Sequence, residues 1–114
     1  MTVSDRKERE KEMRRKDIID TAEKLFFEKG YENITMADIA KGTELARSTL
    51  YLYFKNKKEI YLAISIRATE ILNNMFRKYY QKGKTGREKV EMLMTAFYRF
   101  YKEYPDYYDV NWFS

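Results

Sequence analysis

Apolar residues recur along this chain at the spacing of a helix, not in the alternation of a strand. Ile18, Ala22, Leu25 and Phe26 stand at i, i+4, i+7 and i+8. They share one face of a period of about 3.6 residues, which predicts a first helix over 16–29. Gly30 follows where a helix commonly ends. Thr35 with Asp38 three residues on resembles a capping box. A short second helix is therefore expected over 36–42, with Ile39 and Ala40 inward and Gly42 as its stop. Thr43-Glu44-Leu45 makes a turn, and a third helix over 46–53 is anchored by Leu50. Two short helices separated by about three residues have the spacing of a helix-turn-helix.

Asn56 and Glu59 form the next capping pair, ahead of a long fourth helix reaching about residue 81. Its apolar stripe is Ile60, Ala63, Ile64, Ile71, Leu72, Met75 and Tyr79. Thr85 and Glu88 repeat the capping device for a fifth helix. Its stripe reads Val90, Leu93, Met94, Phe97, Tyr98 and Tyr101, and it stops at Tyr104 before Pro105. The tail 106–114 is too short to pack by itself. Residues 1–15 are polar and of mixed charge; with Glu8, Glu10 and Glu12 among the bases they read as a solvated arm or frayed turn in preference to a phosphate-binding arm. The chain therefore divides into a charged arm over 1–15, a helix-turn-helix unit over 16–58 and a further helical part over 59–114, in an all-α fold.

Composition narrows the function. Only 4 glycines and 1 proline in 114 residues argue against many short strands, and 44% hydrophobic residues suffice for a packed core. The absence of cysteine excludes a disulfide framework, a zinc–thiolate site and a thiol nucleophile. The absence of histidine removes the commonest general base and metal ligand. The carboxylate pairs Asp17/Asp20 and Glu88/Glu91 lie one turn apart among basic residues and read as solvated helix faces. No catalytic constellation, metal site or cofactor is expected, and the protein does not read as an enzyme. No apolar run approaches the roughly 18 residues of a membrane span, and the start of the chain is too charged for a secretory leader. An intracellular, cytoplasmic protein is expected.

Charge points to a partner. There are 23 basic and 18 acidic residues, a net +5. Between Lys41 and Lys58 stand Lys41, Arg47, Lys55, Lys57 and Lys58 against Glu44 alone, so four of the five net charges fall in this stretch. A basic surface favours polyanions, and helix N-termini present N–H groups to phosphates. On the third helix Arg47 can donate twice to a guanine edge. Ser48 and Thr49 can reach bases or phosphates, and Tyr51 and Tyr53 can donate to phosphate oxygens. A plain solvated face is the alternative; agreement of charge, spacing and caps favours DNA contact. The aromatic run 97–113 reads first as packing surface. A ligand cavity, with Phe97, Tyr101 and Tyr104 as candidates, and a stacking platform for single strands are the alternatives.

The stretch IIDTAEKLFFEKGYENITMADIAKGTELARSTLYLYFKNKKEIYLAI resembles the TetR (tetracycline-repressor-like) family of transcription regulators, above all in A…LF…KGY…T…DIA…STLYLYFKNKKEIY. The resemblance implies a helix-turn-helix DNA-binding domain joined to an all-helical ligand-binding and dimerising domain. It implies a homodimer on a pseudo-palindromic double-stranded operator, most often a repressor, released by a small-molecule effector. Base and phosphate contacts would come from Arg47, Ser48, Thr49, Tyr51 and Tyr53, with Thr35, Met36 and Lys57 on the backbone; Lys55, in the basic stretch, is a further DNA-binding candidate. Glu44 stands where the family's turn usually has glycine, and Ala46 where the third helix usually has a serine cap. Glu44 must then either take positive φ at a cost or adopt another turn. Family members are generally longer, so 59–114 is expected to be the start of a truncated ligand-binding and dimerising domain. A helical protein-interaction module using the aromatic C-terminal surface is the competing function.

Overall fold

The computed structural model describes residues 2–112. The regular elements there are helical: α1 (Val3–Lys29), a 3-10 turn (Tyr31–Asn33), α2 (Met36–Thr43), α3 (Arg47–Tyr53), α4 (Lys57–Tyr80), α5 (Gly86–Glu103) and α6 (Pro105–Trp112). They form two compact units, the first reaching Ala63 and the second starting at Ile64.

In the first unit, α1 brings Ile18, Ile19, Ala22 and Phe26 into a core shared with Ile34, Met36, Ile39, Ala40, Leu50, Phe54 and Ile60. The helical spacing of those residues is what makes one continuous apolar face. Phe26, Tyr31 and Tyr61 close it with ring contacts, the Tyr31 and Tyr61 centroids 4.9 Å apart edge to face. Gly30 ends α1 at φ 88°, its N–H donating to the Phe26 carbonyl.

Two expectations about this unit are corrected. The first helix starts at Val3, so the polar segment before Lys16 is helical, not an arm. Thr2 and Asp5 cap it reciprocally, each N–H reaching the other side chain at 3.1 Å. Residues 2–17 are all exposed, as a helix polar on every side must be. Gly42 does not stop α2. It lies within the helix, where a Cβ would come 2.8 Å from Cγ2 of Thr21 on α1. Its service is close approach of two helices. The helix ends at Glu44, in left-handed backbone.

In the second unit Ile64, Ala68, Leu72, Ala96, Phe100 and Val110 are buried. Thr85 and Glu88 cap α5 as expected, at 3.1 Å both ways. Its buried face is not the expected one. Ala96 and Phe100 are enclosed, whereas Val90, Met94, Tyr98 and Tyr101 are exposed. The apolar arc of α5 is wider than the surface that packs on it, so periodicity alone misplaced the inward edge. The tail also differs from expectation. Pro105 ends α5 and opens α6, because a proline lacks only an N–H that a first helical turn leaves unused.

Candidate nucleic-acid interface

The helix-turn-helix is built by caps and one strained residue. Thr35 and Asp38 cap α2 reciprocally at 2.9 and 3.1 Å. These hydrogen bonds, backbone first, hold the Asp38 carboxyl below its ordinary value, and Lys29 and Lys41 add to the effect. Glu44 then takes φ 60°, ψ 30°, and its N–H caps the Ala40 and Lys41 carbonyls. The Leu45 N–H reaches Ala40 O at 3.0 Å, completing the reversal into α3. Glutamate thus adopts the conformation glycine favours. Ala46 stands at the N-cap of α3 with no side-chain hydrogen bond.

Leu50 is the only buried residue of α3 and fixes the roll of the helix. Arg47, Ser48 and Tyr51 consequently face solvent, while Thr49 and Tyr53 are half-buried. Thr35 and Lys55 are exposed as well. Met36 is not: its side chain is in the core, leaving only its backbone at the start of α2 for an anion. Lys57 is turned inward too. Its Nζ donates to the Tyr31 carbonyl at 2.7 Å and the Ile34 carbonyl at 3.0 Å, and lies 4.1 Å from the Tyr31 ring centroid. It ties the start of α4 to the loop before α2, so the phosphate contact expected of it competes with an internal one. Burial, with Glu32 and Tyr61, pushes the Tyr31 hydroxyl up.

One further residue of α3 is exposed although its type suits a core. Leu52 is 84% exposed. Its apolar character concealed it, but its spacing from Leu50, two residues or about 200° around a helix, carried the signal.

Among the candidates for ligand contact, Phe97 and Tyr101 line an open groove of about 530 Å³ with Met94, Tyr98, Tyr108 and Asp109. Tyr108 meets Tyr101 edge to face at 4.9 Å. Tyr104 does not line this groove; its ring stacks at 6.0 Å on Phe100 and tilts against Tyr107. No group of metal-ligating side chains occurs among the described residues, and no helix there is long and apolar enough to cross a membrane.

This arrangement defines a helix-turn-helix protein, and residues 18–64 match the family described as bacterial regulatory proteins, tetR family. Over that stretch the chain is similar to the DNA-binding domain of TetR-family transcription regulators. Over 80 residues it is 34% identical to the biofilm operon icaADBC HTH-type negative transcriptional regulator IcaR of Staphylococcus aureus, covering 70% of this chain and 43% of that one. The regulator of the same name from Staphylococcus epidermidis is 48% identical over 44 residues, covering 39% and 24%. The crystal structure of PfmR, a TetR-family regulator from Thermus thermophilus, is similar at TM-score 0.64 and 30% identity, over 82% of this chain and 50% of that one. A TetR-family regulator from Haemophilus influenzae gives TM-score 0.63 at 25% identity, over 84% and 52%. The chain therefore spans less than half the length of these curated relatives and about half of the solved ones.

Proposed function

We propose that this chain acts as a sequence-specific transcription regulator that binds a pseudo-palindromic operator as a homodimer and represses. The observation that carries the reading is the outward face of α3. Arg47, Ser48 and Tyr51 point away from buried Leu50, within the stretch holding four of the five net positive charges. A helix so presented fits the major groove, and two related by a dyad would read successive grooves. Residues 16–58 would form the reading domain, and 59–114 would belong to the ligand-binding and dimerising one. Repression is supported by the staphylococcal relatives, which are negative transcriptional regulators. A small-molecule effector in the groove at Phe97 and Tyr101 would lower DNA affinity by favouring a non-binding conformation. Such a protein acts in the cytoplasm, where its operator is.

The test is a nuclease footprint of the purified protein on the DNA upstream of its own gene, repeated with Arg47→Ala. A protected, dyad-related pair of half-sites is expected. The variant should lose about 1–3 kcal/mol of affinity and relax its base preference. Unchanged affinity and preference would remove α3 from the interface.

A further inference from the structure

We infer that Leu52 contacts the 5-methyl group of a thymine in the major groove and so helps set the operator sequence, an assignment that rests on the DNA-reading function proposed above. Only Leu50 is buried among the seven residues of α3. At about 100° per residue, Ser48 and Leu52 lie on nearly the opposite side of the helix from Leu50 and form its outermost ridge. Leu52 is 84% exposed, the highest value among the exposed large apolar side chains of the described residues. It therefore adds almost nothing to the core.

The chemistry of the groove matches this side chain. Thymine differs from other bases there by a methyl group, which is read through apolar contact and not by hydrogen bonds. Arg47 and Ser48 can read donors and acceptors, but neither detects a methyl selectively. Leu52 lies one turn beyond Ser48 on the same ridge. One flank of Leu52 borders a cleft that also includes Tyr53 and Lys11, Arg15, Glu8 and Glu12 of α1. Glu8 is 4.0 Å from Lys11, so that flank is of mixed charge. The basic stretch Lys41–Lys58 is complementary to the phosphates that border a major groove.

The experiment first enriches duplexes from a randomised pool with the purified protein. Each thymine of an enriched duplex is then replaced by deoxyuridine, which removes only the methyl. Wild type and Leu52→Ala are compared on this set. At one thymine per half-site the replacement should weaken wild type about fourfold, the worth of one buried methyl. Leu52→Ala should bind the parent duplex more weakly and be indifferent to that replacement, with unchanged thermal unfolding. The assignment is overturned if wild type is indifferent to every replacement. It is also overturned if Leu52→Ala keeps the same dependence or binds as tightly as wild type, as a protein-contact role for Leu52 would give. If no duplex is enriched, the DNA-reading function fails with it; an Arg47→Ala defect without methyl dependence sinks only the role of Leu52.

Discussion

Glu44 and Ala46 show how single residues weaken the turn between the two short helices without changing its course. At φ 60° a side chain other than glycine costs about 1–2 kcal/mol, and a missing N-cap about 0.5–2 kcal/mol. Glu44→Gly should stabilise the unit by about 0.5–1 kcal/mol, because strain relief exceeds the roughly 0.4–1 kcal/mol that glycine loses through the unfolded chain. Ala46→Ser should stabilise it by about 0.5–2 kcal/mol. Thermal unfolding measures both, and a lower melting temperature for either would contradict the geometry. Lys57 works the opposite way. Lys57→Met abolishes both carbonyl hydrogen bonds and the contact with the Tyr31 ring. A loss of about 1–3 kcal/mol in denaturant unfolding is expected, with the salt dependence of DNA binding unchanged.

At the scale of elements, reciprocal caps decide where α1, α2 and α5 begin. Thr35→Ala should cost about 0.5–2 kcal/mol and loosen the start of α2. The same cap carries a pH dependence. The folded Asp38 carboxyl lies below its unfolded value, so on acidification the unfolded state takes up the proton first. Its stabilisation is complete above the ordinary carboxylate value of about 4 and is lost as pH falls through the lower folded value. NMR titration of the Thr35 and Asp38 amides should show the cap released only in that acid range, with no change near neutrality. Such caps were legible in the sequence because a hydroxyl and a carboxylate three residues apart satisfy specific N–H groups. The box at Thr2 was equally legible, but interleaved charge made α1 look unstructured before Lys16. Pro105 carries two signals, stop and start, and only the stop is evident from the sequence.

For the molecule as a whole, the uneven charge is the property a polyanion would sense. Binding should weaken steeply with salt, and Lys55→Ala, at an exposed position of the basic stretch, should reduce the log–log slope by about 0.9. Titrations of duplex DNA at several salt concentrations measure this; an unchanged slope would remove Lys55 from the phosphate contacts. The all-α class, the helix-turn-helix and the core positions Ile18, Ala22, Ile39, Leu50 and Ile60 followed from the chain alone, because periodicity and capping are local properties that neighbours in sequence enforce. Which way a side chain with two options turns is not local. Lys57 was drawn to two carbonyls supplied from 23 and 26 residues away, Gly42 was needed by Thr21 on another helix, and α5 buried the edge of its apolar arc that its neighbours could cover. Leu52 belongs with them. Its residue type suits a core, but the roll imposed on α3 by Leu50 left it outside, since one short helix can bury only one face.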